Sequence, residues 1–566
     1  MDKQKVLFYS LLIGAVGLAY ATLLLAQHIS EVYLLLLIPA AVLGVLTYFQ
    51  YRRMYRLKLL RELRQAWGGE GRKKDRNFED VALVFQYAEN EEGTIDDRTW
   101  HDLNMDLVFA QLDRTFTWPG MQRLYQILRS PIMEKLSVLD KRNEMIRSFQ
   151  VEQVQREDVQ LILKRMDGRI GAGLARLLWT TPTVPEILPR FVYTLMALVA
   201  LLSPLLLFFG LRWLIVLPFI FQVNMYLHFK VQKTIKAYFE GVRALGQLIN
   251  VGKRLSKLDY PALQEPLAEI EKAYAQVKGF LKIMRHVGVE TTDPMLSMMT
   301  QYYAILFLAE VRGFYRSLDF ISAHRGTLQK LFLAVGELDA LQGVASYRTY
   351  VPYYCEPQVS SQQKRFNLVD AYHPLVADCV PNSISVDKRG ILVTGSNMSG
   401  KSTFLRTVGL NVLLAQSIAT CLAREYEAVP VQLLTCIGRA DNVVEGKSYY
   451  LEEALGVKRV VEAVDSNVTI FAIFDEMFRG TNSEERIFAA RRVLEYLIKR
   501  KAIVFVATHD LELADLLADS YRSVHFSERL STVGLEFDYK LKEGPTTTRN
   551  AVALLRYLDY PREITD

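Results

Sequence analysis

The sequence predicts an α/β head built on a mostly parallel sheet, an all-helical region beside it, and two apolar helical hairpins. Three observations carry that prediction. After about residue 350, short apolar or β-branched runs ("GILVT", "VTIFAIF", "AIVFVAT") alternate with helical stretches, the pattern of a parallel sheet with crossover helices. Residues 78–188 and 230–345 hold runs such as "LNMDLVFAQLDRTF" and "TIKAYFEGVRALGQLI", with apolar residues at helical spacing. Four further runs are apolar and carry no charge.

Taken in order, Val6–Gln27 is 22 residues long and Val32–Phe49 is 18, against about 20 needed to cross a bilayer core. The short connector His28–Glu31 makes them a tight hairpin. Phe191–Gly210 and Trp213–Phe229 form a second pair around Leu211 and Arg212. Its last run is the weakest, being short and interrupted by Pro218, Gln222, Asn224 and His228. A buried core hairpin is the alternative reading of that pair. Ala19-Tyr20-Ala21 has the form of a signal-peptide cleavage site, but the apolar run continues past it and a second run follows at once.

Lys3 and Lys5 precede the first run, Arg190 precedes the third, and Lys230, Lys233 and Lys236 follow the fourth. The connectors hold no Lys or Arg except Arg212. This asymmetry predicts a multi-pass protein of the cell (inner or plasma) membrane, with both termini and the large segments in the cytoplasm. The expected division is a first hairpin over 1–50, a basic juxtamembrane linker over 51–77, helical segments over 78–190 and 230–350 flanking a second hairpin at 191–229, and an α/β domain over 351–566.

Net charge is +6, but between Arg52 and Arg76 ten Lys/Arg face three Asp/Glu. The rest of the chain has no basic excess, which argues against a broad nucleic-acid footprint. The block suits anionic lipid headgroups and topology setting. Within it, "GGEGRKKDRN" (68–77) reads as a flexible linker. The four cysteines, Cys355, Cys379, Cys421 and Cys436, form no metal-binding spacing and are expected as buried thiols.

The chemistry concentrates in "TGSNMSGKST" (394–403), which fits G-x-x-x-x-G-K-[ST] between an apolar strand and a helix. Such a loop turns its amide N–H groups toward phosphate oxygens at a helix N-terminus. The expected nucleotide-binding residues are Gly395, Ser396, Asn397, Met398, Ser399, Gly400, Lys401, Ser402 and Thr403. Lys401 would reach the β- and γ-phosphates, and Ser402 would ligate Mg²⁺. The strand "VTIFAIFDE" ends in Asp475, suited to Mg²⁺, and Glu476, suited to activating water. "VATHD" brings His509 to the same sheet edge, within reach of the γ-phosphate.

These segments, with "GKSYYLEE" (446–453) and "FDEMFRGTNSEE" (474–485), resemble in order and spacing the ATPase domain of MutS DNA mismatch-repair proteins. "HPLV" (373–376), "LDRTFTWPGMQRLYQILRSP" (112–131) and the tail "KLKEGPTTTRNAVALLRYLDYPREI" extend the resemblance. It implies an ABC-related, Mg²⁺-dependent ATP hydrolase whose heads pair as a homodimer. Ser448 would then contact the γ-phosphate bound by the partner, Glu453 would sit in that same signature segment, and Asn397 would position the γ-phosphate. Nothing before residue 78 resembles the family's mismatch-reading domain, with its Phe-x-Glu wedge. The chain stops just after the ATPase-like segment, so the family's C-terminal dimerisation helices are not expected. The resulting expectation is an ATP-driven dimeric clamp held at the membrane, which senses mismatched or structured DNA or, alternatively, remodels a protein or lipid partner. A transporter fits poorly, because the apolar runs contain no Asp, Glu, Lys or Arg and "LSGGQ" is absent.

Overall fold

The computed structural model describes residues 3–546 and 560–561, apart from 72–73, 75, 89–92, 167–170, 181–186, 285–293, 361–365, 397–398, 439–448, 466–467 and 532–533. Two long helices open the chain, α1 (Lys3–His28) and α2 (Leu37–Ala66), joined through a 3₁₀ turn at Glu31–Leu36. They lie against each other. Thr22 and Thr47 are buried and return their hydroxyls to Leu18 O (2.6 Å) and Leu43 O (2.7 Å). α1 and the first half of α2 are apolar and uncovered, with Ile13, Val16 and Ile38 each more than 60% exposed. Among the described residues, these two alone are long and apolar enough to cross a membrane.

The charged end of α2 continues past the apolar part and docks on the helical region. Arg64 donates to both carboxylate oxygens of Glu157 at 2.6 and 3.0 Å. The stretch expected as a flexible linker is tied down where it is described. Lys74 Nζ donates to both oxygens of buried Asp113 at 2.8 Å, and Arg76 Nε adds a bond at 3.1 Å. Burial pushes the Asp113 carboxyl up, but Lys74 and Arg76 outweigh it and hold the group below its ordinary range.

The helical region is organised by α3 (Asp97–Asp102), α4 (Trp118–Arg129), α5 (Arg190–Leu202), α6 (Val216–Leu255) and α7 (Ala309–Tyr350). Thr117 caps α4 by accepting from Gly120 N at 3.0 Å, with Pro119 in the first turn. Buried Asp339 of α7 accepts from Phe116 N, Thr117 N and the Thr117 hydroxyl at 2.6–3.1 Å, fixing the entry to α4 against the longest helix. That helix kinks at His324 (φ −121°, ψ 18°).

The expected second hairpin is built differently from the first. α5 has 13 residues, 3₁₀ turns follow, and α6 runs unbroken for 40 residues, well past Phe229. Its tip is bare apolar surface, with Phe208 87% and Leu211 79% exposed.

The C-terminal part is a mixed α/β domain with strands β1 (Gln358–Val359), β2 (Phe366–Ala371), β3 (Asn382–Val386), β4 (Gly390–Thr394), β5 (Glu425–Ala428), β6 (Val431–Cys436), β7 (Thr469–Asp475), β8 (Ile503–Ala507), β9 (Tyr521–His525), β10 (Glu528–Ser531), β11 (Gly534–Phe537) and β12 (Lys542–Glu543). The main sheet has the order β12-β9-β4-β8-β7-β6, parallel except for β12. A second sheet, β1-β5-β2-β3, and the β10-β11 hairpin flank it.

Helix α8 (Lys401–Ile418) covers one face of the main sheet, while α9 (Tyr449–Ala463) and α10 (Ser483–Lys499) cover the other. Strand residues accordingly alternate between two cores. Ile391, Val393, Ile473 and Phe505 pack on the α8 side, and Leu392, Ala472, Phe474 and Val504 on the α9–α10 side. Asn482 caps α10 through Glu485 N at 2.9 Å.

Asp102 joins the helical region to this domain. Its carboxylate accepts from the Thr435 hydroxyl, Ile437 N and Gly438 N, each at 2.8 Å, and its carbonyl accepts from Arg406 Nε of α8 at 2.8 Å. Cys421 and Cys436 are buried as expected, whereas Cys355 and Cys379 are partly exposed.

Candidate functional site

The tips of β4, β7 and β8 lie side by side, because β4 pairs with β8 and β8 with β7 in parallel register. The loop from β4 into α8 turns at Gly395 (φ 139°) and Gly400 (φ 105°), a backbone region that favours glycine. A Cβ at Gly395 would stand 2.8 Å from Phe526 O. The loop therefore bends where the spacing requires, and α8 begins at Lys401 with its N-terminus toward the sheet edge.

A cavity of about 810 Å³ opens there. It brings together Ser396, Gly400, Lys401, Ser402, Thr403, Asp475 and Glu476 from the predicted set. Gly395 and Ser399 shape the loop from behind, with Ser399 Oγ donating to Ser396 O at 2.8 Å. Asn397, Met398 and Ser448 lie outside the described residues.

Lys401 is buried, and its ammonium donates to Gly395 O and Ser396 O at 2.7 Å. Burial lowers its pKa, against the opposing pull of Glu476 and Asp475. The Ser402 hydroxyl donates to Asp475 Oδ2 at 2.5 Å. Asp475 Oδ1 is buried and makes no hydrogen bond among the described residues, with Arg479 Nη2 standing 4.0 Å away as an ion-pair partner. Burial raises the Asp475 pKa, with the Ser402 hydrogen bond opposing. A buried acceptor left open beside a serine hydroxyl fits a divalent cation carried in with a nucleotide.

Glu476 sits at φ 57° just beyond β7, with Glu476 N held by Ala507 O of β8 at 2.9 Å. A non-glycine residue in this region is strained and is kept there by its surroundings. Its carboxylate is 2.7 Å from Arg479 Nε and 3.5 Å from His509 Nδ1. Interaction with His509 lowers the Glu476 pKa and raises that of His509. His509 is half exposed, and its other ring nitrogen lies 3.7 Å from Asp510. Glu453 accepts from Arg479 N at 3.0 Å, which places the end of the "GKSYYLEE" segment beside the same strand tip. Burial raises the Glu453 pKa.

Sequence reading missed several groups. Arg479 is close enough to Glu476 in the chain to have been found. Tyr539 lines the cavity, and Glu528 accepts a hydrogen bond from the Ser396 hydroxyl. Both come from the β10–β11 region and its exit, more than 100 residues from the loop, and no short motif marks them. Asn382 holds this exit in place through Tyr539 O (3.0 Å) and Leu541 N (2.8 Å).

A parallel sheet flanked by helices, with a glycine-framed loop, two carboxylates and a histidine at adjoining strand tips, fits a MutS-like ATPase domain. The MutS domain V family model matches residues 391–566. The chain is similar to the DNA mismatch repair protein MutS of Staphylococcus epidermidis, with 29% identity over 270 residues, covering 45% of this chain and 30% of that protein. It is also similar to the protein of the same name from Petrotoga mobilis, with 31% identity over 261 residues, covering 44% and 31%. The chain thus spans about 30% of the length of these curated relatives. The likeness to MutS proteins covers less than half of the chain, and the family model places its domain V at residues 391–566.

Proposed function

We propose that this protein is a membrane-anchored, MutS-like ATP hydrolase whose heads close as a homodimer around ATP and Mg²⁺. The observation that carries the reading is the convergence of Lys401, Ser402, Asp475 and Glu476 on one cavity, with Asp475 Oδ1 buried and without a hydrogen bond among the described residues.

In this reading Lys401 leaves its loop carbonyls for the β- and γ-phosphates. Ser402 and Asp475 hold the Mg²⁺, which supplies charge neutralisation at the phosphates. Glu476 accepts the proton of the attacking water, and His509 hydrogen-bonds the γ-phosphate. Tyr539 offers an aromatic face to the base. Ser448 of the partner subunit completes the site, so turnover requires two chains. The apolar pair α1–α2 fixes the clamp to a cell membrane, with the head in the cytoplasm.

For its target, mismatched or structured DNA is the first reading, supported by the relatives' names. The second reading is a protein or lipid partner at the membrane, supported by the bare apolar tip between α5 and α6. The deciding experiment is ATP turnover of the full chain in nanodiscs, with homoduplex, mismatched and branched DNA at low and physiological salt. Stimulation by one DNA structure that survives physiological salt supports the first reading. Intact basal turnover with no response to any DNA overturns it and leaves the second.

A further inference from the structure

A cavity of about 1550 Å³ lies away from the phosphate loop, between α2 and the helical region. Six basic residues line it, Arg52, Arg53, Arg56, Lys74, Lys164 and Arg165, against one acid, Asp158. Three of these cations are already matched: Arg56 with Asp158 at 3.2 Å, Lys74 with Asp113 at 2.8 Å, and Lys164 with Glu62 at 2.9 Å. Arg52, Arg53 and Arg165 have no carboxylate partner among the described residues.

All three line the one groove, and Arg165 lies in the field of Arg52. The Arg165 pKa is lowered, first by burial and then by Arg254, Arg52 and Arg56. Like charges gathered on facing walls cost free energy unless an anion lies between them. The groove also holds Phe49, Tyr51, Tyr55 and Trp118. Phe49 lies three residues before Arg52, the first charge of α2, so this mouth stands where an apolar helix gives way to arginine, the level at which aromatic rings and basic side chains meet headgroups. The volume exceeds that of an ordinary small-ligand pocket, about 300–1000 Å³, and admits a headgroup together with the start of its chains.

We propose that this groove is a binding site for the phosphate of an anionic phospholipid headgroup, clasped between Arg52 and Arg53 of α2 and Arg165 of the helical region. The proposal rests on α1 and α2 lying in a membrane.

The test is native mass spectrometry of the full chain in detergent, titrated with cardiolipin, phosphatidylglycerol or phosphatidylcholine and, in a separate arm, with inorganic phosphate and pyrophosphate. Two variants of equal charge change are compared, Arg52→Gln/Arg165→Gln in the groove and Lys58→Gln/Arg61→Gln on the same helix outside its lining. The expected result is retention of anionic lipid over phosphatidylcholine, cut at least fivefold by the groove variant and less than twofold by the control. Equal losses in both variants would mean diffuse surface attraction and overturn the site. Phosphate or pyrophosphate binding as tightly as the lipid would overturn the lipid assignment. Carbonate extraction of the same variants from membranes separates the failures. Wild type that stays in the membrane yet retains no anionic lipid sinks the groove alone, whereas wild type released by carbonate sinks the membrane reading beneath it. Thermal melting of both variants within about 2 °C of wild type establishes that the fold is intact.

Discussion

Helices α1 and α8 are both rich in apolar residues, yet they stand in opposite surroundings. Of the 18 residues of α8, 15 are buried, between the main sheet and the helical region. Among the described residues of α1, only Thr22 is buried. Composition tells that each helix avoids water. It does not tell whether protein or lipid does the covering. In α8, polar groups such as Asn411 and Gln416 are spent on backbone elsewhere in the fold, accepting from Leu422 N and from Val431 N at the start of β6. In α1, the side-chain hydroxyls of Ser10 and Thr22 turn back to the helix's own carbonyls. A helix that satisfies its hydroxyls internally and leaves its apolar surface bare is suited to hydrocarbon.

The sharpest way to break this comparison is to charge α1. Ile13→Lys with Val16→Lys should raise the cost of insertion by roughly 5–7 kcal/mol, at about 3 kcal/mol per lysine near a span centre. The chain should leave the membrane fraction while the melting of the head stays unchanged. A membrane fraction equal to wild type would remove α1 as an anchor. Next comes chemistry in the head alone. Glu476→Ala should lower ATP turnover by about 10²–10⁴-fold while nucleotide binding and membrane partition persist, and wild-type turnover would exclude Glu476 as the base.

Leu410→Ala, which empties a fully buried position of α8, should cost about 2–5 kcal/mol of head stability by denaturant unfolding. The matching change Ile13→Ala should cost the head nothing. Equal losses would show that α1 packs on protein after all.

The smallest effect concerns pH. His509 is raised above 6.5 and Glu476 lowered below 4.5 by their interaction. The ion pair is therefore intact between those two values. It is lost as pH rises through the raised His509 value or falls through the depressed Glu476 value. If a free Glu476 carboxylate is the base, turnover should climb a few-fold as pH passes a midpoint above 6.5, and His509→Gln should flatten that limb. An unshifted limb in the variant would assign it to another group.

What was legible in the sequence follows the same division between local and distant causes. Gly395, Gly400, Lys401 and Ser402 could be read because one short loop between a strand and a helix imposes their spacing. Asp475, Glu476 and His509 could be read because each lies at or within two residues of the end of a buried strand whose run of apolar residues marks it. Tyr539 and Glu528 were invisible, since they reach the cavity only through the pairing of β9 with β4 and the excursion that follows it. The grip of Lys74 and Arg76 on Asp113 was likewise hidden, because a glycine- and lysine-rich stretch looks mobile until its buried partner is known. In the run 191–229 composition shows where charge is missing but not the helix bounds, a 13-residue α5 and a 40-residue α6 that runs past Phe229.

Asp102 has a mechanical consequence. Three donors at 2.8 Å on one buried carboxylate, two of them backbone amides just past the end of β6, leave almost no slack. A slide of a few tenths of an ångström is about all that such bonds tolerate before weakening. The same residue's carbonyl is gripped by Arg406 from the helix that follows the phosphate loop. A tilt of α8 or of the β6 tip must therefore pull on the end of α3 as a rivet pulls on a plate, so load passes into the helical arm as displacement before it can dissipate as loop motion.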